Sequence, residues 1–226
     1  MELGYYLRLK KELYHLILQF LENNEEFTDE NELQDLYDAV QDYFSYFQDE
    51  IQAEMKSFIL MISKIAENHH LTKQFYKSIK SLLKLLSKDI KQNLSNQEIY
   101  YIFENNKTLL LFLFKIEIIE IDKNILNCLH DKAEYKFYFY PEIEKYLTEE
   151  ERSKINKKIS NITDFKEKCK QGENDSYICS LIRDDSVEEF ISYVNREKIP
   201  LYSSIKRSIF ETNLFLLKNK NITLIE

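Results

Sequence analysis

Only four of the 226 residues are glycine or proline: Gly4, Gly172, Pro141 and Pro200. Average usage would supply roughly 16 glycines and 11 prolines in this length. Hairpin turns and barrel corners depend on glycine for positive φ, so a sheet-rich fold would have almost nothing to turn with. Helices joined by Asn, Ser and Asp turns need neither residue, and Asn is abundant. The chain is therefore expected to be all-α. Its length suits one large domain or two small ones, with enough apolar residues for a real core.

Apolar positions at helical spacing support this. Leu13, Leu16/Ile17 and Phe20/Leu21 predict a first helix over 3–23, and Thr28 or Asp29 can cap the next. Leu33, Leu36, Val40, Phe44, Phe47, Ile51, Met55, Phe58, Ile62 and Ile65 then step by three or four residues, and no glycine or proline interrupts 30–68. The spacing predicts one helix roughly 50 Å long, with two helices parting near Gln48–Glu50 as the alternative. Leu71–Leu94 carries a further apolar face and completes a long hairpin over about 30–93. Ser95 and Glu98 form a capping-box pattern, and an apolar helix is expected over 108–121. Asp122 caps a segment to about Leu129. Tyr135–Tyr140 alternates like a strand but is short and ends at Pro141, which favours a helix end or loop. Thr148 with Glu151 predicts a second capping box for a helix to Ile159. A helix over Ile162–Gln171 ends at Gly172, which is also the natural domain boundary.

Charge is strongly segregated. Residues 12–55 hold thirteen Asp and Glu and no Lys or Arg, whereas 71–92 hold six Lys and one Asp. Lys73, Lys77, Lys80, Lys84, Lys88 and Lys91 step by three and four, forming one stripe opposite the apolar face. Such a stripe is either a solvated face or a docking ridge for an anionic membrane surface or an acidic partner. The overall charge of −8 and the lack of aromatics interleaved with the lysines weigh against nucleic acid.

No pattern for chemistry stands out. His69 and His70 are adjacent, so on a helix they point about 100° apart and cannot share a metal; a helix C-terminus already accounts for histidine. Cys128, Cys169 and Cys179 are too few for a disulfide framework, and no CxxC or HExxH occurs. Two glycines cannot build a phosphate loop. No catalytic residue, metal or cofactor is expected. The N-terminus carries charges within its apolar stretch and lacks a cleavage site, and 108–121 is too short to span a bilayer. Together with the cysteine usage, this predicts a soluble protein of a reducing intracellular compartment, the cytoplasm.

After Gly172 the pattern becomes helix–turn–helix: 175–183, a turn at Asp184-Asp185, then 186–198 with Val187, Phe190, Ile191 and Val194 on one side. The stretch GENDSYICSLIRDDSVEEFISYVNREKIPLYSSIKRSIFETNLFLLKNKNITLIE (172–226) resembles the start of the ankyrin region in a large family of protist ankyrin-repeat proteins. Thr223-Leu224-Ile225-Glu226 stands where an ankyrin repeat opens with T-P-L-H. Leu224 replaces the proline, and Asp184-Asp185 replaces the consensus turn glycines. The resemblance implies a degenerate, capping-type helix pair in 173–226, after an α-helical domain in 1–171. The expected architecture is thus antiparallel helical hairpins in an irregular or solenoid-like array. The function it implies is a non-enzymatic protein–protein interaction module, the N-terminal domain and cap of an ankyrin-type scaffold. The alternative is a charged docking module that uses the lysine stripe.

Overall fold

In the computed structural model, residues 3–22, 30–68, 73–172, 174–200, 205 and 208–210 are described. Among them the chain is all-α: α1 (Leu3–Glu22), α2 (Glu30–Ser45), α3 (Ile51–Asn68), α4 (Lys73–Leu85), α5 (Ser87–Asn93), α6 (Asn96–Phe103) and α7 (Lys107–Lys115) come first. Then follow α8 (Lys123–Asp131), α9 (Ala133–Tyr138), α10 (Tyr140–Ile143), α11 (Glu149–Ile159), α12 (Phe165–Gln171), α13 (Tyr177–Arg183) and α14 (Val187–Arg196). No strand occurs among the described residues; the aromatic run at 135–140 belongs to α9 and α10, with Phe139 as the turn between them. The chain forms two compact units. One comprises Met1–Phe103 with Lys115–Glu120; the other comprises Glu104–Phe114 with Ile121–Glu226. Gly172 lies inside the second unit, where it ends α12 at φ 67.

The single long helix expected over 30–68 does not form. α2 stops at Ser45, a turn and the 3-10 segment Gln48–Glu50 follow, and α3 starts at Ile51. The turn tightens through bonds of 3-10 type, with Phe47 N donating to Phe44 O at 3.0 Å and Glu50 N to Phe47 O at 2.9 Å. What holds the bend is aromatic packing. Tyr43 meets Phe47 at 4.9 Å between ring centroids, Phe44 meets Phe58 edge-on at 5.5 Å, and the Tyr43 hydroxyl donates to Glu54 Oε2 at 2.7 Å. A straight helix would leave Phe44 and Phe58 about 20 Å apart, at fourteen residues of 1.5 Å rise. Folding back buries both. The expected hairpin over 30–93 is accordingly a cluster of shorter helices, in which α1 packs on α2 and α4, and α3 packs on α5 and α6. Ile17, Val40, Met55, Ile59, Ile62, Ile79 and Leu82 are fully buried there.

The apolar helix expected over 108–121 is also shorter. α7 ends at Lys115, and Glu117 takes a left-handed φ of 58. The exit is held in the first unit: Lys91 Nζ donates to Glu117 O at 3.0 Å, and Asn96 Oδ1 accepts from Glu120 N at 3.2 Å. Ile118 and Ile119 remain buried outside any helix, which is why hydropathy alone extends α7 too far.

In the second unit α7 is apolar on nearly all sides, as a core helix is; Leu109, Leu110, Leu111 and Leu113 are buried. Phe139 packs edge-on against Phe114, Tyr135 and Tyr138. The Tyr138 hydroxyl donates to the Cys169 carbonyl. The helix expected from Ile162 begins only at Phe165, because Asp164 is left-handed at φ 56.

Each unit contains one of the two predicted capping boxes. Ser95 N and Ser95 Oγ donate to Glu98 Oε2 at 3.1 and 2.9 Å, and Glu98 N donates back to Ser95 Oγ. Thr148 N and Oγ1 donate to Glu151 Oε2 at 3.0 and 2.9 Å, with Glu151 N returning the bond. In both, the other carboxylate oxygen receives a lysine from an earlier helix: Lys56 at 3.0 Å and Lys136 at 2.6 Å. The boxes therefore join helices as well as start them. Asp122 caps α8 as expected, accepting from Asn124 N and Ile125 N.

Candidate functional site

The lysine stripe lies in the first unit, on α4 and α5, and the structure divides it. The helix breaks at Leu86, between Lys84 and Lys88. Lys77, Lys84, Lys88 and Lys91 are exposed, while Lys80 is half-buried; the side chain of Lys73 lies outside the described residues. Lys91 is committed to the fold, bonding Glu117 O and lying 3.7 Å from Glu120. Lys80 Nζ sits 5.7 Å from the centroid of the Tyr76 ring, so an aromatic does interleave the row. Burial, and secondarily the charge of Lys115, hold the Lys80 pKa below the ordinary lysine value. Lys115 thus belongs to the same basic field, although it is 35 positions away in sequence and no helical spacing could reveal it. Lys77, Lys84 and Lys88 have no hydrogen-bond or ion-pair partner among the described residues.

Beside the row, Asp89 is turned inward. It accepts from the Tyr37 hydroxyl at 3.4 Å and from Gln41 Nε2 at 3.3 Å, and burial followed by Asp89 raises the Tyr37 pKa. The acidic stretch therefore touches the basic helix through the neutral donors Tyr37 and Gln41.

The second unit holds the helix pair. α13 and α14 pack on each other across 184–186, burying Ile178, Leu181 and Val194. Both helices close with the same device. Ser186 N donates to Leu181 O and Asp185 N to Ile182 O, at 3.0 and 3.3 Å; Ile199 N donates to Val194 O and Lys198 N to Asn195 O, at the same two lengths. These are paired Schellman bonds, and Asp185 (φ 50) and Lys198 (φ 52) take the left-handed position that glycine usually holds. The apolar side expected for α14 is only partly covered: Val187 is 57% exposed and Ile191 54%. On α13, Tyr177 and Ile182 are exposed too, and Tyr177 packs edge-on with Tyr193, over which Arg196 lies.

Two features of this unit gave no signal in the sequence. Lys107 is 2% exposed by side chain; its Nζ donates to Ile209 O at 2.9 Å, lies 3.4 Å from Glu134 Oε2, and approaches the rings of Tyr135 and Tyr138 at 5.6 and 5.5 Å. An isolated lysine opening an apolar helix looks like a surface residue in sequence; only the fold encloses it. On either side of Ile209, Ser208 Oγ donates to Asp175 Oδ1 at 2.6 Å and Phe210 packs on Phe165. An open cleft of about 510 Å³ lies between Tyr140, Glu144, Asp164 and Phe165. Its phenol donates to Glu144 at 2.9 Å, and burial followed by that carboxylate raises the Tyr140 pKa, so the phenol stays protonated. Among the described residues no group of three His, Cys, Asp or Glu could hold a metal, and none of the three cysteines is in a disulfide. His69, His70 and Thr223–Glu226 lie outside the described residues, as do Thr28 and Asp29. No described helix is long and apolar enough to cross a membrane.

Comparison of the chain with protein-family models, curated proteins and solved structures returns no match.

Proposed function

We propose that the chain is a non-enzymatic protein–protein interaction module, the N-terminal helical domain and capping helix pair of an ankyrin-type scaffold. The observation that carries this reading is the open apolar edge of α13–α14. Ile182, Val187 and Ile191 are each more than half exposed on the same two helices that bury Ile178, Leu181 and Val194. A helix pair in a stack has two apolar faces, one for each neighbour. Three aliphatic side chains left open on one short pair mark a surface that receives a partner. The resemblance of 172–226 to protist ankyrin-repeat proteins supports the same reading, and the Schellman closure of α13 gives the pair the short turn a repeat requires.

The test is affinity capture with three proteins: the full chain, an Ile182→Asp/Ile191→Asp variant and a form ending at Gln171. The expected result is a set of partners kept by the full chain and lost by both others. An unchanged set would overturn the reading and move binding to residues 1–171.

A second reading, a charged docking module in the cytoplasm, is favoured by a separate observation: Lys77 and Lys84 on α4 and Lys88 on α5 are exposed without partners among the described residues. Its test is binding to anionic vesicles by the parent and by a Lys77/Lys80/Lys84/Lys88→Glu variant. Equal binding by the two would dispose of it.

A further inference from the structure

Both ends of the α13–α14 pair are pinned at one place in the second unit. Asp175 precedes α13 and Ser208 follows α14, and across those 33 positions the Ser208 hydroxyl donates to Asp175 Oδ1 at 2.6 Å. The other oxygen, Asp175 Oδ2, lies 3.1 Å from Lys168 Nζ on α12. The two residues after Ser208 hold it in place. Phe210 is 1% exposed, packs edge-on against Phe165 at 5.5 Å between centroids, and has Lys168 Nζ 5.9 Å from its ring. The Phe210 amide donates to Ser208 Oγ at 3.2 Å, and buried Lys107 donates to the Ile209 carbonyl at 2.9 Å. A short segment is thus bound by its backbone and one aromatic anchor, and its serine hydroxyl closes the clasp.

That hydroxyl is the accessible part. The Ser208–Asp175 bond is exposed to solvent, whereas Phe210 and Lys107 are enclosed. In sequence Ser208 directly follows Lys206 and Arg207 and precedes Ile209, and kinases choose serines by such flanking charge patterns. Burial pushes the Asp175 pKa up, but the bonds from Ser208 and Lys168 more than offset it and hold the carboxyl below the ordinary aspartate value. Asp175 is therefore ionised at neutral pH. A phosphoryl group on Ser208 conflicts with this arrangement in two ways. It removes the O–H that Asp175 accepts, and it sets a charge of about −1.5 to −2 beside that carboxylate. Lys168 carries one positive charge against roughly three negative ones, so it cannot neutralise both anions.

We propose that Ser208 is a phosphorylation site for a basic-directed serine kinase, and that its phosphate opens the clasp at the base of the α13–α14 pair. The γ-phosphoryl group of a nucleoside triphosphate passes to Ser208 Oγ, the hydroxyl proton is lost to solvent, and the nucleoside diphosphate leaves. Opening frees Asp175 and the 208–210 segment, while the buried face and Schellman turns of the pair stay as they are. The switch concerns how the pair is held, and so stands apart from what its open edge receives.

The full chain, incubated with a purified basic-directed serine kinase and magnesium ATP and mapped by mass spectrometry, is expected to carry phosphate on Ser208. Hydrogen exchange then compares the parent, the phosphorylated chain, Ser208→Ala, Ser208→Glu and Ser208→Glu/Asp175→Asn. Over 175–179 and 209–210, the phosphorylated chain and Ser208→Glu are expected to exchange roughly tenfold faster than the parent, as for a lost bond to a charged group. Ser208→Ala loses the bond without adding charge and should fall between them. In the double variant the amide can donate to the new carboxylate, and most of the protection should return. A folded chain that takes no phosphate on Ser208, or a phosphorylated chain that exchanges like the parent, overturns the proposal. Protection lost equally across α7 and α11 would mean that Ser208 supports the whole unit, and would overturn the local clasp as well.

Discussion

Removing the negative charge of Glu151 while keeping its shape isolates what the second capping box contributes. Glu151→Gln retains an oxygen that can accept from Thr148, because glutamine also serves at this capping-box position. It loses the ion pair with Lys136 at 2.6 Å and the favourable charge at the N-terminus of α11. In the fold the Glu151 carboxyl is held down to about 2, first by Lys136 and then by the Thr148 bonds. Converted wholly into stability, that depression would be worth about 3 kcal/mol. The Glu151 side chain is 31% exposed, so solvent screens the pair, and about 1 kcal/mol is the realistic share. The sign follows from the direction. A carboxyl held below its unfolded value stabilises the fold fully above about 4.5 and loses that contribution as pH falls toward 2. Urea unfolding followed by far-UV circular dichroism should place the variant about 1 kcal/mol below the parent at pH 7. The gap should close as pH approaches 2, where the parent's own carboxyl is protonated and resembles the amide. A variant as stable as the parent at pH 7, or a gap that persists undiminished near pH 2, would refute the assignment.

The equivalent change in the first unit, Glu98→Gln, should behave in the same direction but more weakly, since Lys56 is 52% exposed; the same titration checks it. Lys107→Met keeps the buried stem but removes the donor to Ile209 O and the charge facing two tyrosine rings, so a loss of about 1–2 kcal/mol is expected in denaturant unfolding. Asp185→Gly should raise stability by about 0.5–1 kcal/mol by relieving a left-handed side chain, whereas Asp185→Val should lower it by more than that, as thermal unfolding of the two variants will show. Ile62→Ala, at a fully buried position of α3, should cost about 3 kcal/mol through lost burial and the cavity left behind, measured in the same way.

Features that depend on residues close in sequence were legible, and features that depend on chain reversal were not. The capping boxes at Ser95/Glu98 and Thr148/Glu151, the Asp122 cap and the Gly172 stop each involve residues within a few positions, and all form as their patterns predict. The lysines that complete those boxes, Lys56 and Lys136, come from 42 and 15 positions away, where no periodicity points. The break between α2 and α3 is hidden for a related reason. Phe44, Phe47 and Ile51 keep the step of three or four straight through the bend, because the 3-10 turn there advances the chain almost as a helix does. The stripe of lysines was legible as a stripe, yet its division into committed Lys91, half-buried Lys80 and exposed Lys77, Lys84 and Lys88 required the fold.

The scarcity of glycine that points to helices also has a consequence inside the helical fold. A chain of many short helices must reverse often, and the commonest way to end a helix in a reversal is a residue in the left-handed region. Here one such position is Gly172, whereas Glu117, Asp164, Asp185 and Lys198 hold positive φ with full side chains. Each carries a steric cost of about 1 kcal/mol that glycine would not. Aspartate tolerates the region better than most residues, but glutamate and lysine gain no such relief. Three of these positions persist because the surrounding bonds over-determine them: Lys91 on the Glu117 carbonyl, and paired Schellman bonds around Asp185 and Lys198. Two of the four lie in the α13–α14 pair, whose apolar edge is the proposed partner surface. The strain in that pair is therefore held by its own backbone bonds rather than by burial, which lets the edge stay open and ordered at once.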